Sequence, residues 1–240
     1  MINSIVILCG GQGTRFQKVS STIPKVLAQI GDITFLDYII KKCEKYEVEN
    51  IILASGHLSN KIMDFLKKKY KSRNIVISEE VQPLGTWGAI QNAKKYIDSN
   101  YFFVMNGDTI NNLNFTKALQ FIKKSNFSSI MFGSVVDKTN SQETGLFSID
   151  RSGQVVEFFE KVNYLKNKYL YKNSGIYLLN KKIFKMPKLF KKRSLEYDVL
   201  PILIKSQKFG IYNENVKFHD FGTLERYNSI NSNFEIEEWL

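Results

Sequence analysis

Cysteine is scarce in this chain of 240 residues: there are two, Cys9 and Cys43, with no C-x-x-C spacing and no histidine beside either. That argues against a disulfide framework and a thiolate zinc site, and suits a reducing, cytoplasmic setting. Proline is equally sparse, four residues spread along the chain, and no Ser/Gly-rich stretch marks a linker. One domain over residues 1–240 is therefore expected, long enough to bury a core without staples. Long apolar runs are missing. The N-terminal run is only four or five residues before the first glycine, too short for a signal peptide, and no window nears the ~20 apolar residues a spanning helix needs. Acidic residues are the minority, 23 against 34 Lys+Arg, for a net charge of +11. Excess cation suits acidic substrates, but these lysines are spread through helical segments such as Lys67-Lys68-Lys69 and Lys191-Lys192-Arg193, with no contiguous basic tail. Neither nucleic acid nor a membrane is expected as partner, and homo-oligomerisation is left open.

What the chain does contain is concentrated near its start, in V-I-L-C-G-G-Q-G-T-R-F from Val6 to Phe16, with Pro24-Lys25 following. An apolar run, Ile5 to Cys9, stops at Gly10, Gly11 and Gly13, and the loop carries Arg15 and then Lys25. Glycines let backbone N–H groups converge on phosphate oxygens, and the two cations add charge that amides lack. The loop expects a polyphosphate. A dinucleotide fingerprint would need glycine where Phe16 stands, and a Walker A loop would need G-K-[ST] at Gly13-Thr14-Arg15. Both are excluded.

Further along, helical spacing over Thr34–Tyr46, Asn60–Lys69 and Thr86–Ile97 alternates with short apolar strands at Asn50–Ala54, Asn74–Ser78 and Tyr101–Met105. Such alternation predicts parallel pairing in a layered α/β sheet, with the active site beyond the carboxyl ends of the strands. The first strand and the one ending at Asn106-Gly107-Asp108 then empty onto one crevice, which makes Asp108 a metal candidate. After a strand at Ser128–Val135 the texture changes. Leu146–Ile149 and Val155–Phe159 flank Asp150-Arg151-Ser152-Gly153, a hairpin signal that opens an antiparallel insertion. Tyr171–Leu179 returns as a strand, Ser194–Ile204 is helical with Ser194 as cap, and Leu224–Leu240 ends the chain as a helix.

The pattern L-x-G-G-x-G-T-R…P-K resembles the signature of the sugar-phosphate nucleotidyltransferases, which join a nucleotide to a sugar 1-phosphate and release pyrophosphate. I-P-K, P-L-G-T, F-x-E-K, N-S-G-I-Y-L-L and S-L-E-x-D-V-L-P extend the resemblance over nearly the whole chain, and look most like the heptose 1-phosphate guanylyltransferases of bacterial surface polysaccharide synthesis. The resemblance implies the nucleotide-diphospho-sugar transferase fold, a Rossmann-like, mostly parallel layered sheet with a small antiparallel substrate-binding lobe. It assigns residues 1–135 mainly to the nucleotide and 136–240 mainly to the sugar phosphate.

By the same resemblance, Leu8, Gly10, Gly11, Gly13 and Thr14 would cradle a nucleoside triphosphate, with Arg15 and Lys25 on its β- and γ-phosphates. Gly85 and Thr86 would lie over the base. Asp108 and Asp220, in F-H-D-F-G-T, would hold Mg2+. Lys161 would bind the sugar's phosphate, with Glu160, Gly145 and Asn173 at the sugar itself. Three departures stand out: Val162 replaces a proline, Thr144 an aromatic and Trp87 a small residue. Trp87 either packs in the core or narrows the base pocket.

The stretch from Glu79 to Thr86 resembles the family's E-x-x-P-L-G-T, and aligned on Leu84-Gly85-Thr86 the resemblance implies Glu80 as the base-reading side chain. A carboxylate accepts two parallel hydrogen bonds, and guanine offers two donors on one edge, whereas uracil pairs better with an amide. Guanine is favoured; cytosine, with its amino donor, stays open. The alternatives are a cytidylyl- or uridylyltransferase acting on another sugar 1-phosphate or a phosphorylated small molecule, or a sugar-nucleotide-binding module without turnover. Asp220 could instead cap the last helix, and His219 is expected to be structural, because a phosphate nucleophile is already deprotonated and needs no base.

Overall fold

In the computed structural model, described residues are 3–11, 22–136, 145–159, 170–186, 193–206, 208–214, 216–232 and 234–240. Strand β1 (Ser4–Leu8) precedes a 3-10 turn at Lys25–Leu27, the short hairpin β2 (Gln29–Ile30) and β3 (Ile33–Thr34), and helix α1 (Phe35–Lys45). Next come β4 (Asn50–Ser55), α2 (Ser59–Lys69), β5 (Ile75–Glu79), α3 (Gly85–Ala93) and β6 (Tyr101–Asn106). Strand β7 (Thr109–Asn111), α4 (Phe115–Lys124), β8 (Ser129–Val135), β9 (Leu146–Ile149), β10 (Val155–Phe159) and β11 (Leu170–Asn180) follow. The chain closes with α5 (Leu200–Ser206), β12 (Phe209–Tyr212), β13 (Phe218–Asp220), α6 (Leu224–Asn231) and α7 (Ile236–Trp239).

The main sheet runs β10-β9-β11-β6-β1-β4-β5, with β8 beside β11 and β12 beside β8. The pairs β1–β4, β1–β6 and β4–β5 are parallel, as the alternation of strand and helix demands. The insertion is antiparallel, β9 with β10 and both β9 and β6 with β11. Because side chains alternate across a strand, Ile5 and Ile7 of β1 bury on one face with α1, α2 and α4, while Val6 faces the opposite layer with α3 and α5. Three layers result.

Local signals explain where elements start and stop. Thr34 caps α1 as half of a capping box: its hydroxyl accepts from Asp37 N–H at 3.1 Å while Asp37 Oδ2 accepts from Thr34 N–H at 3.0 Å, worth about 1 kcal/mol. The helix expected over 86–97 ends at Ala93 and tightens into a 3-10 turn at Lys94–Tyr96. Ser194 does cap its segment, accepting from Tyr197 N–H at 3.0 Å. The first turn, Leu195–Val199, is π-type and is followed by Leu200 and then Pro201, which has no N–H to donate. The terminal helix expected as one piece is two, α6 and α7. The break has a cause: Asn231 spends its side-chain oxygen on Gly31 N–H at 2.8 Å, and Phe234 packs over Gly31, whose φ is +54°.

Tyr38 and Lys42 of α1 reach under β7 from the same layer. Tyr38 hydroxyl donates to Asn111 O at 2.6 Å and accepts from Asn111 N–H at 3.0 Å. Lys42, fully buried, donates to Asn111 O at 2.8 Å and to Trp239 O at 2.7 Å. Burial pulls its pKa down to about 7, whereas the unfolded chain keeps that proton up to about pH 10. Between those limits the unfolded state binds the extra proton, so Lys42 makes stability rise with pH through this window, and its penalty is complete below pH 7. Thermal melts from pH 7 to 9 should show a shallower rise in midpoint for Lys42→Met than for the unsubstituted protein; equal slopes would assign the dependence elsewhere.

Candidate active site

Parallel register sets the floor of the site. Leu8 pairs with Asn106, and Gly107 N–H donates to Leu8 O at 3.0 Å, so β1 and β6 end together. A Cβ on Gly107 would stand 2.6 Å from that carbonyl oxygen, which is why the residue before Asp108 is glycine. Beyond these ends opens a cleft of about 400 Å³. Leu8, Gly10, Gly11, Lys25, Glu80, Gly85, Thr86 and Asp108 all line it, as expected from the sequence. Asn106, Val26, Pro83 and Ala89 line it too and were not foreseen. They lie within one to three residues of foreseen ones, so spacing alone would have flagged them. Gly13, Thr14, Arg15, Thr144, Glu160 and Lys161 lie outside the described residues.

One corner of the cleft is ionic. Lys25 Nζ sits 2.5 Å from Asp108 Oδ2 and 5.3 Å from the Phe221 ring centroid. Antiparallel pairing of β13 with β7 sets Asp220 opposite Thr109, and Phe221 N–H donates to Asp108 O at 3.1 Å. Two aspartates 112 residues apart in sequence are thus carried on adjoining backbone; Asp108 lines the cleft, whereas Asp220, Gly145 and Asn173 are not among its lining residues. Asp220 receives Arg226 Nη1 at 2.9 Å on Oδ1 and 3.1 Å on Oδ2, and Gly222 N–H at 3.1 Å on Oδ1. It is not the helix cap; Thr223 is, accepting from Arg226 N–H.

The opposite wall holds Glu80. Its Oε2 accepts from Leu84 N–H at 3.0 Å, and its Oε1 lies 2.6 Å from where a Cβ on Gly10 would be. Glycine at position 10 is what lets this carboxylate approach the loop. Gly85 has φ +77° with Arg193 O against its α-carbon, and that carbonyl also accepts Trp87 N–H at 2.7 Å. Thr86 hydroxyl donates to Glu196 Oε2 at 2.9 Å and accepts Leu195 N–H at 2.7 Å. Trp87 is core: it is fully buried and stacks on Phe184 with ring centroids 5.7 Å apart.

On the insertion side, β11 changes register between Asn173 and Tyr177. Asn173 takes Gly175 N–H on Oδ1 at 3.0 Å and gives its Nδ2 to Tyr177 hydroxyl at 2.7 Å. Gly175, φ +71°, lies against the Asn106 amide, so the bulge presses on the cleft. Gly145 O accepts Asn173 N–H at 2.9 Å, and a Cβ on Gly145 would meet Phe158 at 2.7 Å. The structure therefore joins Gly145 to Asn173.

The chain matches the "Nucleotidyl transferase" family model over residues 4–237. It is 35% identical over 191 residues to a D-glycero-alpha-D-manno-heptose 1-phosphate guanylyltransferase of Campylobacter jejuni, covering 80% of this chain and 82% of that one. An enzyme of the same name from Aneurinibacillus thermoaerophilus is 30% identical over 222 residues, 92% and 94% of the two chains. The chain belongs to the nucleotidyl transferase family. HddC from Yersinia pseudotuberculosis, a structure also solved complexed with GMP-PN, superposes with a TM-score of 0.82 at 32% identity over 98% of this chain and 100% of that one. The fold is the nucleotide-diphospho-sugar transferase fold.

Nucleotidyl transferases of this family generally use a divalent metal. Asp108 and Asp220 are hard oxygen donors of the kind such an ion takes, although among the described residues no group of three or more His, Cys, Asp or Glu is placed to hold one. Such a pair leaves most of an octahedral shell to water and phosphate oxygens. His219, beside Asp220, packs edge-on against Trp239 at 5.4 Å, and burial with the Lys172 charge holds its pKa below the ordinary value. The Cys9 thiol, which also lines the cleft, is held well above its ordinary value by burial and then by Asp108 and Glu80. No helix of the described residues is long and apolar enough to cross a membrane.

In this nucleotidyl transferase, Thr86→Val should strip Leu195 N–H of its acceptor and cost about 1–3 kcal/mol. Urea unfolding measures the loss, and a raised KM for the nucleotide should accompany it; unchanged values for both would mean Thr86 holds nothing in place.

Proposed function

We propose that the chain transfers a guanylyl group from GTP to a heptose 1-phosphate, D-glycero-α-D-manno-heptose 1-phosphate foremost, releasing pyrophosphate. The observation that carries the base choice is Glu80: an acceptor-only carboxylate, held by Leu84 N–H, in the wall of a cleft floored by the glycine loop. Its free lone pairs match the paired N1–H and N2–H donors of guanine. Relatives at 35% and 30% identity named as heptose 1-phosphate guanylyltransferases support both base and sugar. Supply of an activated heptose for surface polysaccharide fits the reaction, and the unpaired Cys9 and Cys43 suit a reducing cytoplasm.

The chemistry asks for little beyond charge and placement. A sugar phosphate oxygen, already anionic, attacks the α-phosphorus in line, and pyrophosphate departs. No general base is needed. Lys25 gives up part of its hold on Asp108 to meet the polyphosphate, and Arg15 adds a second cation to the leaving group. Lys161 binds the phosphate of the acceptor, with Glu160, Gly145 and Asn173 against its sugar. Asp108 and Asp220 hold Mg2+, which when bound neutralises the two anions that must approach each other. Gly10, Gly11, Gly13 and Thr14 wrap the triphosphate, and Leu8, Gly85 and Thr86 flank the nucleoside.

Pyrophosphate release, with GTP, CTP, UTP, ATP and dTTP each set against a panel of sugar 1-phosphates, tests the substrate choice. GTP with the heptose 1-phosphate should lead every other combination by tenfold or more, on the order of the discrimination a hydrogen-bonded base pocket supplies. A lead by CTP or UTP would keep the reaction and remove Glu80 as guanine reader. Asp108→Ala and Asp220→Ala should each lower kcat by about 10²–10³-fold without unfolding the protein; near-normal rates at saturating magnesium would overturn the metal assignment for that residue. Glu80→Gln should raise the KM for GTP about 30-fold or more, because an amide donor then faces a guanine donor.

A further inference from the structure

Asp220 already carries a cation, and its source is unusual. Arg226 lies in the first turn of α6, with its own N–H bonded to the Thr223 cap at 3.3 Å. A positive side chain at a helix N-terminus opposes the helix dipole, so local helix preference does not explain an arginine there. Its contact does: Nη1 bonds both carboxylate oxygens of Asp220, at 2.9 and 3.1 Å. With Gly222 N–H also on Oδ1, three of the roughly four acceptor positions of the carboxylate are filled. Lys25 does the equivalent for Asp108, but through one ammonium that the incoming polyphosphate can draw away. A guanidinium is planar, permanently charged and less readily displaced.

We propose that Arg226 is a built-in counter-cation that keeps Asp220 closed to free divalent ions, so that the metal enters with the nucleotide rather than waiting in the empty enzyme. This rests on the reading of Asp108 and Asp220 as the metal pair. The phosphate-bound ion brings part of its shell with it and needs only one or two carboxylates. A bare hydrated ion must displace Arg226 with no such help. Arg226 is thus a positioning residue that sets the order of loading without touching the reacting atoms.

The test is direct metal binding, independent of turnover. Mn2+ is titrated by electron paramagnetic resonance into the nucleotide-free protein, its R226Q and R226K variants, and the double variant R226Q/D220N, with thermal melts confirming folding. R226Q should bind free Mn2+ about five- to tenfold tighter than the unsubstituted protein, the scale of one partly exposed charge removed. R226K should fall between the two and serves alone if R226Q does not fold; the double variant should lose the gain. Equal or weaker binding by R226Q, or by R226K where only it folds, overturns the proposal. A parallel titration with Mn2+–GTP and the D108N and D220N variants separates the failures. If those variants weaken it while R226Q shows no gain, only the role of Arg226 falls; if neither variant changes it, the metal pair falls and Arg226 with it.

Discussion

The three residue pairs between β7 and β13 are the contact on which the ionic corner depends. Without them, Asp108 at the end of a parallel strand and Asp220 near the end of the chain would have no reason to lie on adjoining backbone. Two carboxylates brought together repel, and the structure answers with one cation for each, Lys25 and Arg226. The hairpin-like pair is itself propped from below by Tyr38 and Lys42, both bonded to the Asn111 carbonyl. A buried lysine with only carbonyl partners among the described residues is a costly prop. Its position is explained by what it joins: the strand beneath the aspartates and the last helical turn at Trp239.

Glu80 answers a different constraint. A carboxylate in a cleft wall needs a partner to fix its direction, and a backbone N–H from Leu84 orients this one without using a second side chain. The approach of Glu80 to Gly10 then couples that wall of the cleft to the glycine turn after β1, since any side chain at position 10 would collide with the carboxylate. Glu80 and the glycine turn are adjacent because β1 and β5 both pair with β4 and end on the same side.

Much of this could be read from residue order. The parallel strands, the apolar spacing of α1, the hairpin around Asp150 and the end of β6 at Asp108 announced themselves through period, turn and glycine chemistry. Eight cleft residues followed from the same signals and from the family resemblance. What escaped was either short or decided by tertiary contact. Strands β7 and β13 are three residues each, too brief for any periodicity, and their pairing spans over a hundred residues. Strand β12 and helix α4 went unnoticed beside stronger neighbours, and the terminal helix looked continuous because nothing local shows that Asn231 bonds to Gly31. Trp87 was undecidable for a similar reason, as its stacking partner Phe184 is nearly a hundred positions away.

Strand β11 pairs with β9 at its start and with β6 at its end, while keeping β8 along its other edge. The antiparallel insertion is therefore welded to the parallel sheet through shared backbone hydrogen bonds, with no swivel between them. A clamshell closure of one part over the other would have to tear that strand. Descendants of such a chain that take on a new acceptor have one cheap route, exchanging the segments that rim the cleft over an unmoving chassis.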